Sequence, residues 1–515
     1  MAAPFELTPT PTSPAPFATR SAPSRRSISK TRFMYFEQCA LRAWLMEHDP
    51  IEHTPPPFGS IIWQGIDAGI RARSLVPDGR LIDCDYRDYQ TVLDMTAELL
   101  ADPSVAAIFE AGFAHSRVLI RADILERRNG GWCLGEVKSS TRAKVEHLIE
   151  IALQVYVLLK CGVDLVDAEL ILINPEYVRG DELDVTGLFR RVSVLEEIVP
   201  IVPKIRAQIE ANLDVLALHS APEVAPSRHC HDPYECEFWN RCTANKPSDW
   251  VYRIPRLSRE AYARLTEAGI ESMRDVPAAF RLTPTQRPVV IAAKTGEVRL
   301  SLALPHTMRR LFPPEQGFGC LDFETFMPGI PLYPNTSPYQ RIPFQWSLHH
   351  RERAGNLTHY EFLARRHADP RSRFTETLLR ATESLPGPIA VWSSYEGSVI
   401  RDLALTYPNL ADRLQTLSGR LVDLLPIVRD HVAHPGFAGS YSIKSVAPVV
   451  APEVSYAGLD VADGDAASAV IYRLAADPSL SKRKRTKLRR ALRTYCERDT
   501  LALVHVHRWL RKAGQ

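Results

Sequence analysis

Two acidic patterns lying far apart in the chain constrain it most: Asp322 and Glu324 in GCLDFETF, and Tyr495 and Asp499 in RTYCERDTLAL. The apolar residues before Asp322 predict a strand. On a strand, side chains at i and i+2 project from one face, so Asp322 and Glu324 share a face. Tyr495 and Asp499 fall in LRRALRTYCERDTLALVHVHRWL, whose apolar periodicity predicts a helix. Residues four apart on a helix lie one turn from each other, so both pairs are placed to converge. Hard divalent cations prefer oxygen ligands, and three or four carboxylates can hold two such ions about 3.5–4 Å apart.

This order of acids resembles the DnaQ-like 3'–5' exonuclease superfamily, whose fold is RNase H-like and whose motifs run D-x-E, a central acid, then Y-x-x-x-D. Asp322 and Glu324 match the first motif, and Tyr495 with Asp499 match the third. The central acid is either Glu396 in VWSSYEGSVIRDLA, where an apolar run from Ile389 to Trp392 leads into a helical pattern, or Asp423 in GRLVDLLPIV. The superfamily more often has Asp at the central place with Asn a few residues earlier, where this chain has Ser393 and Ser394. The resemblance implies magnesium- or manganese-dependent hydrolysis of phosphodiesters. Asp322, Glu324, Glu396 and Asp499 would be the ligands and Tyr495 would orient the water.

A second constellation lies in the N-terminal half, in RVLIRADILERRNGGWCLGEVKSS. Two apolar runs flank Asn129-Gly130-Gly131, which predicts a hairpin with Asp123 on one strand and Glu136 and Lys138 on the other. Glu136 and Lys138 share a face, with Asp123 able to lie across from them. The acids can hold a divalent ion while the lysine steadies developing negative charge. The pattern resembles the RecB-like branch of the PD-(D/E)XK nuclease superfamily. There, a helix after the hairpin carries a Gln and a Tyr, matched here by Gln154 and Tyr156 in IEIALQVYVLLKCG. Glu110 in IFEAGF is a candidate for the acid before the core; Glu150 stands where Asp is commoner, and no His lies near Gly65.

Of nine cysteines, Cys230, Cys236 and Cys242 cluster in RHCHDPYECEFWNRC, while Cys39 lies far upstream in SKTRFMYFEQCALRAWL. Four thiolates can hold an iron–sulfur cluster. One early and three late cysteines around a PD-(D/E)XK core resemble the iron–sulfur RecB-like nucleases, including the CRISPR-associated exonucleases and the AddB type. There a 4Fe-4S cluster staples the two ends of the domain. Zinc is the rival occupant, with His229 and His231 able to join its shell, although the close C-x2-C pairs of zinc knuckles are missing. Cys84, Cys133, Cys161, Cys320 and Cys496 sit among apolar neighbours and read as small core residues.

At 515 residues and 45% hydrophobic composition, the chain can bury two substantial cores. No apolar run reaches membrane-span length. Residues 1–27, rich in Pro, Ser, Thr and Ala without an apolar h-region, read as a disordered tail and not a signal peptide; the same composition also suits an organellar transit peptide. A cytoplasmic location is expected.

A net charge of +3 announces no global basic field. Local charge is denser. Lys482, Arg485 and Arg489 belong to SKRKRTKLRRALR, which runs into the helix of Tyr495 and is either a phosphate-attracting stripe or a solvated face. Lys444 in GSYSIKSVAPVVAP is a further phosphate candidate or an exposed structural lysine. Asp249 to Phe280 reads as a small helical spacer, with some likeness to half of a helix-hairpin-helix module at Gly269-Ile270.

The whole order resembles a bacterial family of fused nucleases over residues 28–512. The expected organisation is α/β in both halves. A tail covers 1–27, an iron–sulfur RecB-like PD-(D/E)XK domain 28–246, a helical linker 247–313, and an RNase H-like exonuclease domain 314–515. The expected partner is nucleic acid, DNA ahead of RNA, with no membrane. The competing expectation is a nucleic-acid-binding scaffold in which one or both sites are inactive.

Overall fold

The computed structural model describes residues 27–51, 56–85, 88–365 and 368–513. Apart from Ser27, the expected N-terminal tail lies outside them. The chain divides into two units: one runs to residue 244 apart from 57–60 and includes 328–339, and the other takes 57–60, 245–327 and 340 onward. Among the described residues, no helix is long and apolar enough to cross a membrane.

The first unit is built on β1 (Ile28–Ser29), β2 (Arg80–Leu81), β3 (Ala107–His115), β4 (Val118–Arg128), β5 (Gly131–Lys138), β6 (Leu165–Ile173) and β7 (Phe189–Ser193). They form one sheet in the order β2-β3-β4-β5-β6-β7, with β1 paired to β4. β3, β4 and β5 form an antiparallel meander. The expected hairpin forms at Asn129 and Gly130, both at positive φ, as a two-residue loop with strand-matching twist requires. β5 and β6 run parallel, so they need a crossover, supplied by a helix over Val145–Lys160.

Labelled in chain order, the helices used below from this unit are α1 (Lys30–Gln38), α2 (Ala40–His48) and α3, the Val145–Lys160 crossover. Ser29 caps α1 by accepting the Arg32 N–H, and Phe33 anchors it in the core with Ile108, Leu125 and Leu158. Residues 328–339, expected in the C-terminal domain, pack here: Ile330 joins the apolar cluster of Ala68, Phe109 and Ile171, and Arg179 donates to the Pro331 carbonyl at 2.8 Å.

In the second unit, β8 (Phe318–Phe326), β9 (Ile342–Arg351), β10 (Leu357–Leu363), β11 (Ile389–Val391) and β12 (Leu421–Asp423) lie in the order β10-β9-β8-β11-β12. The first three are antiparallel neighbours, whereas β11 is parallel to both β8 and β12. Its helices include α4 (Arg259–Glu267), α5 (Arg371–Glu383), α6 (Tyr395–Thr406), α7 (Leu424–His431), α8 (Ile443–Val450) and α9 (Lys482–Ala513). The sheet is covered on both faces. Leu321 and Phe323 pack with Phe374 and Leu378 of α5, while Cys320 packs with Leu503 and Val504 of α9.

The stretch 247–313, expected as a linker, clusters with this unit, because Leu304, Met308 and Phe312 pack into the core of Leu503 and Val506. Within it α4 is capped by Ser258 and ends before Gly269, whose φ is +72°. A 3-10 turn at Met273–Asp275 follows in place of a second α-helix directly after the glycine.

Candidate functional site

In the second unit the period-two alternation of β8 decides where its acids point. With Leu321 and Phe323 committed to the α5 side, Asp322 and Glu324 turn toward α9. There, Cys496 of α9 lies fully buried against Asp322, its thiol 3.5 Å from Oδ2. Donor atoms of Asp322, Glu324 and Cys496 all lie within 4.8 Å of one another. Asp499, one turn beyond Tyr495, is 6% exposed and accepts the Tyr456 hydroxyl at 2.7 Å. Tyr495 also hydrogen-bonds to it.

Glu396 enters from the first turn of α6, immediately after β11, and is 3% exposed. The Phe323 backbone N–H, between the two acids of β8, bonds to its carboxylate, while its Oε2 has no hydrogen-bond partner. The turn that delivers it is strained. Ser393 holds φ +114°, a region that favours glycine and costs an ordinary residue about 1–3 kcal/mol, offset in part by its N–H bonding to Asp423 at 2.9 Å. Asp423 accepts a second backbone N–H from Leu425 at 2.9 Å, so its Oδ1 caps α7. Of the two candidates for the central acid, Glu396 is the one that faces Asp322, Glu324 and Asp499 electrostatically.

The four carboxyl groups hold one another's protons. Burial, then repulsion from Asp499, Glu324 and Glu396, pushes Asp322 well above the usual carboxylate range. Burial and Asp499 do the same to Glu324 against the pull of Lys444. Burial drives Glu396 up to about 8, and drives Asp499 up to about 6 against the Tyr456 hydrogen bond. Among the described residues no salt bridge reaches any of the four. Lys444 of α8, which acts electrostatically on Glu324 and Asp499, lies 5.1 Å from the Tyr495 ring centre, with its ammonium donating to the Ala462 carbonyl at 2.8 Å. A buried, uncompensated set of oxygens of this kind suits hard divalent cations.

The basic stripe is used in part within the fold. Arg489 donates to the Ala364 carbonyl at 2.6 Å and the Leu363 carbonyl at 3.3 Å, and Arg485 reaches the Pro478 carbonyl at 3.5 Å. Lys482 is exposed at the start of α9.

In the first unit Asp123 of β4 and Glu136 and Lys138 of β5 come together with Glu150 and Gln154 of α3. Lys138 Nζ lies 2.8 Å from Glu136 and 2.6 Å from Glu150, and Gln154 donates to Glu136 Oε2 at 2.8 Å. Asp123 accepts the Val137 N–H at 2.8 Å. Lys30, at the start of α1, is a member that sequence reasoning missed. Its ammonium is 2.8 Å from Glu136, 3.3 Å from Glu150 and 4.0 Å from Asp123. The available signal is its place in SISKTRF, directly after a strand-like pair.

Burial alone would raise Glu136, but Lys138 and Lys30 outweigh it and hold the carboxyl below the usual range. Burial and the Glu136 charge push Asp123 up to about 7. Tyr156 is not in this group. Two residues from Gln154 on a helix is more than half a turn, and Tyr156 packs against the core with its ring 6.1 Å from that of His115. Glu110 falls at the β3 register position opposite Asp123 and, at φ +60°, pairs with Arg73 at 2.8 Å and Arg121 at 3.7 Å.

Cys39, Cys230, Cys236 and Cys242 line one cavity with Leu45, Pro226, Phe238 and Trp239. Cys39 is the joint between α1 and α2. The loop bearing the other three is tied to it by Gln38, which donates to the His229 and Tyr234 carbonyls at 2.7 Å each. Burial raises the thiols of Cys230, Cys236 and Cys242. Among the described residues, no three of these sulfurs lie within 4.8 Å of one another. A single tetrahedral zinc, with Zn–S near 2.3 Å, would need them about 3.8 Å apart. His231 is engaged elsewhere, 2.5 Å from Glu235.

A family model described as a domain of unknown function, DUF2779, matches residues 320–442. The match takes in Asp322, Glu324, Glu396 and Asp423 and ends before Tyr456, Tyr495 and Asp499. No curated protein matches the chain.

Proposed function

We propose that this chain is a metal-dependent nuclease that hydrolyses phosphodiester bonds of nucleic acid, DNA in preference to RNA, and that it works in the cytoplasm. The observation carrying this reading is the convergence of half-buried Asp322 and buried Glu324, Glu396 and Asp499 from a strand and two helices into one set that, among the described residues, no salt bridge reaches. The antiparallel three-strand edge followed by two parallel strands supports an RNase H-like exonuclease unit. The meander β3-β4-β5 followed by the α3 crossover to β6 supports a PD-(D/E)XK unit.

Magnesium or manganese held by the four carboxylates would supply Lewis-acid polarisation of the phosphoryl group and a more acidic water. The protein's own groups do the positioning. Tyr495 donates a hydrogen bond to Asp499, leaving a hydroxyl lone pair to orient the attacking water. Tyr456, bonding to the same carboxylate, fixes the rotamer of Asp499. Lys444 lies beside the acids, where its ammonium offsets negative charge brought in by the substrate. In the first unit Asp123 and Glu136 would hold the cation and Lys138 would steady charge on the phosphoryl oxygens.

Four cysteines lining one cavity support an iron–sulfur cluster, 4Fe-4S, on Cys39, Cys230, Cys236 and Cys242, with zinc as the rival occupant. Protein purified without oxygen should be brown and contain iron; a colourless protein containing zinc overturns this part.

A second reading is favoured by Lys30, whose ammonium stands among the first unit's acids. In that reading the first unit binds nucleic acid without cutting it. Manganese-dependent cleavage of 5'- and 3'-labelled DNA and RNA strands, by wild type, Asp322→Ala and Glu136→Ala, tests both. Loss of cleavage in Asp322→Ala supports the nuclease, and retention in Glu136→Ala supports the scaffold role of the first unit. Binding without cleavage by the wild type overturns the proposal.

A further inference from the structure

Outside these centres, a cluster of ligand-type side chains joins β9, β10 and α9. His349 of β9 and His359 of β10 are direct cross-strand partners, with rings 4.5 Å apart and 28° from parallel. Glu497 of α9 stands beside them, with its Oε1 3.9 Å from His359 Nδ1. One donor atom from each of the three residues lies within 4.8 Å of the other two.

Hydroxyl groups engage one nitrogen of each ring. The Thr500 hydroxyl, which reaches the Glu497 and Cys496 carbonyls at 3.1 and 3.4 Å, lies 2.8 Å from His349 Nδ1 and 2.7 Å from Ser347 Oγ. Ser347 Oγ in turn lies 2.9 Å from His359 Nε2. With the ring proton on the hydroxyl-bonded nitrogen, His349 Nε2 and His359 Nδ1 are the lone-pair donors. Metal-ligating histidines are held in this way, by a hydrogen bond from the nitrogen that does not bind. Burial, with His359 and His505 close by, pushes His349 down to about 4, so it is neutral at physiological pH.

We infer that His349, His359 and Glu497 form a binding site for one transition-metal dication of the zinc class, separate from the carboxylate centre. Two imidazoles and one carboxylate suit zinc, cobalt or nickel, whereas magnesium takes oxygen ligands. Glu497 is the exposed member, with half its side chain in solvent, and so can close on the ion. An ion there ties the β9–β10 hairpin to α9, the helix of Tyr495 and Asp499.

The test is a zinc titration of the full chain against a chromogenic chelator, in excess magnesium, comparing wild type with His359→Gln and Glu497→Gln. Each variant should bind one equivalent less than wild type. Ser347→Ala, which frees the His359 tautomer, should weaken that equivalent about tenfold. Because the readout is a difference, zinc taken up by the cysteines cancels, and cleavage activity plays no part. Equal stoichiometry in all folded proteins overturns the inference. In the wild type alone, zinc should protect His359 from carbethoxylation in proportion to that equivalent; unchanged labelling also overturns it.

Discussion

In the first unit two lysines lie among the carboxylates, at 2.8 Å from Glu136 and 2.6 and 3.3 Å from Glu150. In the second, four carboxyl groups face hydroxyls, a thiol and one another, and Lys444, which acts on them, is engaged with a backbone carbonyl. Glu136 is therefore held ionised by its two lysines, whereas Asp322, Glu324, Glu396 and Asp499 are all pushed toward the protonated form. A buried carboxylate must be paired or neutralised. The first unit solves this with covalently attached cations, and the second leaves it to protons or to an added ion.

The largest effect that would break this contrast is chemical. Asp322→Asn and Asp499→Asn should each lower manganese-dependent cleavage by at least about a hundredfold, the scale reached when even a supporting ligand group is lost. Full activity in either variant would remove the second unit from catalysis.

Next comes the attached cation. Lys30→Met leaves Glu136, 1% exposed, with Lys138 as its remaining cation beside the Gln154 amide, and should cost the first unit about 3 kcal/mol. Hydrogen exchange of β4 and β5 reads it, and added manganese should restore protection. Unchanged exchange would mean that Lys30 is a bystander.

Ion binding should sort the units by a smaller amount. Manganese at a hundred times its dissociation constant stabilises a site by about 2.7 kcal/mol. Hydrogen exchange should show that gain around β8 and α9 and less around β5, where Lys30 must first be displaced. Equal gains would erase the distinction.

In chelator, pH adds a slope of defined sign. Glu396 and Asp499 bind protons more tightly folded than unfolded, so their contribution is fully present below their ordinary values near 4.5 and 3.8. It is lost as pH rises through about 6 and about 8, so protection of the second unit should fall across that window. The first unit, with Glu136 shifted down and Asp123 up to about 7, should be flatter. The smallest expected change is a gain of about 1 kcal/mol for Ser393→Gly, which relieves the φ of +114° and shows as a higher midpoint in urea.

Much of both sites was legible because it was local. Alternation in GCLDFETF aimed Asp322 and Glu324 together, a four-residue step aligned Tyr495 with Asp499, and Asn129-Gly130 announced the hairpin that presents Glu136 and Lys138. Tyr456 lies in a loop without periodicity, so nothing in the sequence aimed it at Asp499. The RecB-like resemblance pairs Tyr156 with Gln154, yet helical rotation separates them. The segment 247–313 read as a spacer because its helices are short, although Leu304 and Met308 are as buried as any core residue.

By itself the sequence determined which side chains share a face, because strand and helix periods are properties of the backbone. Only the tertiary structure decided what those faces meet: Lys30 brought to Glu136, the four carboxyls turned on each other, and His349, His359 and Glu497 gathered beneath α9. Charge state and ligand sets depend on distances of a few ångströms between residues remote in the chain, and packing alone fixes those distances.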